Sequence, residues 1–171
     1  MCGIAGWVNT NISFSDEINI MEKMTETLKE RGPDDCGYFK SENVLFGHRR
    51  LTIVDPEGGK QPMERNVGGR HYVMVYNGEL YNTDEVRDEL KSKGYRFNSY
   101  SDTEVLLVSF IEWGADCVHH INGIYAFGVW DENEKTLFLA RDPLGVKPLF
   151  YSIKNNNLIF GSPFHFFGNQ V

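Results

Sequence analysis

No Cys-x-x-Cys pair occurs in this sequence, and its three cysteines, at 2, 36 and 117, share no repeated spacing. Neither a zinc ribbon nor a thioredoxin-type redox centre is supported. His119-His120 beside Cys117 has no second cluster to complete a site, so it reads as a structural or surface segment and no metal is expected. Apolar runs are short, and none approaches the roughly 20 residues of a membrane span. A basic surplus is missing as well. Lysine and arginine number 17 against 24 aspartate and glutamate, for a net charge of −7, which argues against nucleic acid or an anionic membrane as partner. The N-terminus lacks the basic segment of a signal peptide and Asn9 to Ser15 is polar, so a cytoplasmic location with reduced thiols is expected. No phosphate-binding P-loop appears.

What the chain does have is a cysteine directly after the initiator methionine. If Met1 is removed, Cys2 carries both a thiol and a free α-amine. An α-amine titrates near pH 7.7–8 and a thiol near about 8.5, so one residue can supply nucleophile and base together. The alternative is a small buried residue on a strand. Cys36 reads as a small hydrophobe at a strand start.

Gly3 to Val8 (GIAGWV) is short and apolar and reads as a buried strand. Ser15 opens a helix with Asp16 and Glu17 in its first turn. Ile18, Met21, Met24, Thr25 and Leu28 form its buried face, and Gly32-Pro33 stops it. Strands are expected at Cys36 to Lys40, Asn43 to His48 and Leu51 to Val54, with Arg49-Arg50 between the last two. Asp55 to Gly69 reads as a long loop. His71 to Tyr76 reads as a strand, and Asn77-Gly78 after it is a strong hairpin signal. Asn82 with Glu85, and Ser101 with Glu104, are capping-box patterns opening helices to about Lys93 and Trp113, which places Asp102 at a first helical position. Ile124 to Asp131, Thr136 to Ala140, Leu149 to Ile153 and Leu158 to Phe160 complete nine or ten strands. Hairpin groups with helices between them point to an α+β fold of two antiparallel sheets sharing a core, with helices outside.

Eight stretches in order carry a resemblance: MCGIAGW at 1–7, RGPDD at 31–35, GHRRLTIVD at 47–55, QPM at 61–63, YNGELYN at 76–82, SDTEV at 101–105, GIYAFGVWD at 123–131 and ARDPLGVKPLFY at 140–151. Together they resemble the glutamine-hydrolysing domain of class II glutamine amidotransferases, the N-terminal nucleophile (Ntn) hydrolases, and most of all that of glutamine-dependent asparagine synthetases. The resemblance implies a four-layer αββα sandwich. It implies Cys2 as the nucleophile that forms a γ-glutamyl thioester, and an oxyanion hole from the Asn77 side-chain amide and the Gly78 N–H. It further implies Arg50 as partner of the glutamine α-carboxylate, Asp102 as partner of the α-ammonium with Glu79 nearby, and a cradle from Leu51, Thr52, Ile53 and Val54. Arg49 reads as a structural or solvent ion pair.

The expected reaction is hydrolysis of L-glutamine to L-glutamate and ammonia, with ammonia passed to a synthetase domain or subunit. The domain itself is expected to need no cofactor. ATP and Mg belong to a C-terminal synthetase domain, whose Ser-Gly-Gly-x-Asp-Ser loop is absent, so residues 1–171 read as a single glutaminase domain. A homodimer is conceivable in the full-length context. Two alternatives stay open: a catalytically silent domain that binds glutamine or a partner, and an amidotransferase domain serving a different acceptor. The family commonly continues as Phe-x-Ser-Glu after the last strand, whereas this chain reads Phe160-Gly161-Ser162-Pro163, followed by Phe164, Phe166 and Phe167.

Overall fold

Alternation of side chains along each strand decides this architecture, because every central strand buries both of its faces. The computed structural model describes the chain except residues 12, 15, 16, 53, 54, 56 and 163–171. Nine strands are present among the described residues: β1 (Gly3–Val8), β2 (Asp35–Lys40), β3 (Val44–Arg50), β4 (Met63–Val67), β5 (Arg70–Leu80), β6 (Gly123–Asp131), β7 (Thr136–Arg141), β8 (Phe150–Lys154) and β9 (Asn157–Gly161). Three α-helices, α1 (Ile18–Glu26), α2 (Thr83–Ser92) and α3 (Asp102–Trp113), are joined by a short 3-10 helix at Gly114–His119. One sheet runs β2-β3-β1-β9-β8 and the other β4-β5-β6-β7, with antiparallel pairing throughout.

The layers follow from which residues each face presents. Ala5 and Leu45 turn outward against Met21, Met24 and Leu28, which gives α1 its place. Ile4, Val44 and Phe46 turn the other way, onto Val73, Val75, Ala126 and Trp130 of the second sheet. The far face of that sheet, with Met74, Phe127 and Val129, takes Leu106 and Leu107 of α3, and α2 packs beside α3 through Val86 and Leu90 against Val105 and Val108. The order is helix, sheet, sheet, helices, the expected αββα sandwich. Each fully buried Leu, Val or Phe contributes roughly 1.5–3 kcal/mol, so the three apolar layers carry most of the stability. Cys117 is packed into this core, and burial pushes its thiol up to about 12, which leaves it inert. No metal-ligating cluster occurs among the described residues, nor does any helix long and apolar enough to cross a membrane.

Several local expectations need correction. The segment 55–69 is not all loop: Met63–Val67 forms β4 and turns into β5 at Gly68-Gly69, both at positive φ. The hairpin is made there, and Asn77-Gly78 lies inside the eleven-residue β5, paired with Ala126 and Tyr125. Gly-Gly takes the turn because both residues must adopt left-handed φ. Strand β3 runs on through Arg49 and Arg50, and Leu51 and Thr52 are outside it. Asn82 does not cap α2; its amide instead donates to the His120 carbonyl at 2.9 Å and accepts from Asn122 N–H at 2.7 Å. Ser101 does cap α3 by accepting from Glu104 N–H. The Glu104 carboxylate, however, turns to Asn98, Ser99 and Arg65 and does not close a capping box. The expected helix start at Ser15 and Asp16 falls outside the described residues.

Candidate active site

Cys2 precedes Ile4 by two residues, so the pleat of the chain turns both toward the space between the sheets. The same alternation on β5 turns Asn77 with Val73 and Val75 into that space. On β3 it splits the arginine pair. Arg49 goes outward, where it pairs with Glu26 and donates to the Thr25 carbonyl at 3.2 Å. Arg50 goes inward and is 5% exposed. Arg49 is thus the structural ion pair expected of it. At this end of the sandwich the sheets part around a cleft of about 300 Å³, lined among others by Cys2, Arg50, Leu51, Asn77, Gly78 and Asp102. Clefts of this size suit a small molecule.

The Cys2 thiol points to the Leu51 carbonyl at 3.7 Å. Arg31, from the turn before β2, donates to the Cys2 carbonyl at 3.3 Å and reaches the Met1 sulfur at 3.9 Å, so it holds the N-terminus against the cleft. Asn77 is 2% exposed, and its Nδ2 is the one buried side-chain nitrogen or oxygen among the described residues with no hydrogen-bond partner. Leaving a buried donor unpaired costs about 1–3 kcal/mol, and such a group calls for a functional explanation.

The edge of β5 explains the neighbouring donor. β4 pairs only as far as Met63 opposite Met74. Beyond it the N–H groups of Tyr76, Gly78 and Leu80 face an open edge, because donors on a strand alternate sides. Side chains take the outer two: Tyr76 N–H donates to Gln61 Oε1 at 2.6 Å and Leu80 N–H to Asp102 Oδ2 at 3.3 Å. Gly78 N–H projects between them. The glycine is also demanded by the sheet, since a Cβ there would overlap the Ile124 carbonyl and the Tyr76 ring.

Asp102 opens α3 and also accepts from the Tyr76 hydroxyl at 2.8 Å. Burial raises its carboxyl above the usual range, and the bonds from Tyr76 and Leu80 only partly oppose that. Burial, reinforced by the Asp102 charge, raises the Tyr76 hydroxyl well above its ordinary value, so it stays a donor. Arg50 donates to the Asp55 carbonyl at 2.6 Å. That bond orients the guanidinium within the cleft wall. Glu79 lies exposed at the mouth. Thr52 is not among the cleft-lining residues, and its N–H donates to Asp34 at 2.7 Å. Ile53 and Val54 fall outside the described residues. The cleft therefore brings together Cys2, Arg50, Leu51, Asn77, Gly78, Glu79 and Asp102 of the expected set.

Sequence reasoning missed Gln61, Tyr76, Thr103 and Lys147, which also line the cleft. All four lie inside stretches that carried the resemblance. None has a residue type or spacing that signals chemistry by itself.

Comparison with known proteins gives the following. The family model described as a glutamine amidotransferase domain matches residues 1–170. Glutamine-hydrolyzing asparagine synthetase 3 of Bacillus subtilis is 54% identical over 162 residues, covering 95% of this chain and 26% of the relative. Glutamine-hydrolyzing asparagine synthetase 1 of the same organism is 41% identical over 164 residues, with 95% and 26% covered. The chain spans about a quarter of the length of these relatives. Among solved structures, a glutamine phosphoribosylpyrophosphate amidotransferase from B. subtilis superposes with a TM-score of 0.77 at 20% identity, over 94% of this chain and 41% of the other. That likeness concerns the fold.

Proposed function

Since this chain belongs to the class II glutamine amidotransferase domains, we propose that it hydrolyses L-glutamine to L-glutamate and ammonia at Cys2. The observation that carries the reading is the orphaned Asn77 Nδ2 beside the open-edge Gly78 N–H, both in the cleft that holds the Cys2 thiol. Two unspent donors next to a nucleophile are what a tetrahedral oxyanion needs.

In the form lacking Met1, the Cys2 α-amine takes the thiol proton while Sγ attacks the side-chain amide carbon of glutamine. The C–S bond forms, the carbonyl oxygen becomes an oxyanion held by Asn77 and Gly78, and collapse breaks the C–N bond. The α-amine passes its proton to the departing nitrogen, and ammonia leaves. Water then attacks the γ-glutamyl thioester, glutamate departs and the thiol is restored. Arg50 holds the substrate α-carboxylate, while Asp102, with Glu79 at the mouth, holds the α-ammonium. Leu51 forms the wall beside the thiol. Thiol, amine and water complete this chemistry with no further group. Ammonia goes on to a synthetase half for asparagine formation, where ATP and Mg act. The names of the relatives, glutamine-hydrolyzing asparagine synthetases, support asparagine as the product.

Glutamate release from glutamine, measured on purified chain whose intact mass shows Met1 removed, tests the reading. Turnover that disappears in Cys2→Ala with the fold intact is expected. A processed, folded chain that releases no glutamate makes the domain a binding module and overturns it.

A further inference from the structure

We propose that Gln61 is a positioning residue that sets the two oxyanion donors; the inference rests on the glutaminase reading above. β5 loses its partner strand after Met74, yet the residues that follow must hold two donors in fixed directions. An unpaired edge is the part of a sheet freest to open locally. Gln61 supplies the missing rung. Its Oε1 accepts from Tyr76 N–H at 2.6 Å, fixing the peptide plane one residue before Asn77 and two before Gly78.

Gln61 is itself immobilised from three sides. It is 9% exposed. Its main-chain carbonyl lies so close to Gly37 of the other sheet that a Cβ there would overlap it. Its Nε2 lies 3.5 Å from the hydroxyl of Thr103, next to Asp102 in the first turn of α3. One residue thus ties the edge of β5 and the helix start that carries the proposed ammonium partner through its side-chain amide, and meets the opposite sheet through its main-chain carbonyl. Asp102 holds the same edge on the far side, through Leu80 N–H. Gly78 N–H is left as the donor between two anchored neighbours.

Electrostatic stabilisation of an oxyanion depends on donors placed within fractions of an ångström. Releasing the Tyr76 anchor is expected to spoil the chemical step while sparing substrate binding, because Arg50 is held by the Asp55 carbonyl and Asp102 by its place in α3 and by Leu80 N–H.

The test compares Gln61→Met, which keeps the volume but makes neither bond, with Gln61→Glu, which keeps an acceptor oxygen for Tyr76, both in processed chain. Gln61→Met is expected to lower kcat about 10- to 100-fold with KM within about threefold of wild type. Alkylation of Cys2 by iodoacetamide, which passes through no oxyanion, is expected to keep its rate. Gln61→Glu is expected to recover most of kcat. Amide NMR gives a readout independent of turnover: the Gly78 N–H and Asn77 side-chain resonances shift in Gln61→Met. Wild-type kcat in Gln61→Met overturns the proposal. So does a joint loss of kcat, KM and alkylation rate that Gln61→Glu does not repair, which marks a merely structural residue. If wild-type chain itself releases no glutamate, the glutaminase reading fails separately. Unchanged Gly78 and Asn77 resonances then still overturn the role of Gln61.

Discussion

Asn77 Nδ2 contributes nothing to folding that a smaller side chain could not replace, because it donates to no other group. Its value lies in being available. Asn77→Ala is therefore expected to lower kcat for glutamine hydrolysis by about 10²- to 10³-fold, with a far smaller change in urea stability, as steady-state kinetics and denaturation on the same preparation would read. A urea midpoint that fell as steeply as kcat would make the amide structural. His48 shows the opposite economy. It is 1% exposed between the sheets, with Nε2 3.2 Å from the Tyr76 carbonyl, and burial holds its pKa down at about 4 against an ordinary 6.5. The unfolded imidazole takes up its proton near 6.5 and the folded one only near 4, so acid favours the unfolded chain. The stabilisation is complete above pH 6.5 and is lost as pH falls toward 4, by at most about 3 kcal/mol. Urea melts at a series of pH values should show that slope, and His48→Gln should flatten it.

Strands and turns decide which of these residues meet. The RGPDD turn holds the exit of β3: Asp34 N–H donates to the Arg50 carbonyl at 3.0 Å, Asp34 accepts from Thr52 N–H, and Gly32 lies against the Arg49 main chain, where a Cβ would overlap it. Gly32→Ala should push β3 away and move Arg50, raising KM for glutamine about tenfold and costing on the order of 1–3 kcal/mol, measured by kinetics and urea melts. Pattern alone exposed much of this level. GIAGWV is β1 residue for residue, and Met21, Met24, Thr25 and Leu28 are the buried face of the first helical segment. Asn77-Gly78 was legible as chemistry only through the resemblance, since local turn propensity pointed to a hairpin that Gly68-Gly69 makes instead. Short-range signals cannot weigh two competing turns against the pairing of a distant strand, here β6. Gln61 was hidden for a related reason. A glutamine before a proline in a polar segment looks like any loop, and its meaning arises only where β4 falls short of Tyr76.

At the scale of the whole molecule, Phe160 joins the layers. It is fully buried on β9, stacks edge-on to Phe46 with ring centroids 5.6 Å apart, and occupies the hollows left by Gly6 of one sheet and Gly128 of the other. No neighbour can fill its place, so Phe160→Ala is expected to cost about 3–5 kcal/mol, read as a lowered urea midpoint at unchanged m-value. A loss under about 1 kcal/mol would mean that the sheets close over the hole.

β9 also completes the ladder of β1, pairing Gly161 with Ala5, and Ser162 exchanges bonds with Ile4 through its N–H and its hydroxyl. The first strand of the domain to leave the ribosome thus waits for the last. A nascent chain carries the Cys2 thiol from the outset, but the strand that aims it has one bare edge until residue 161 has been made. Pairings this distant in sequence are late events in folding. Glutamate release is therefore expected to begin only once the chain extends through Gly161, and a fragment ending before Asn157 is expected to release none.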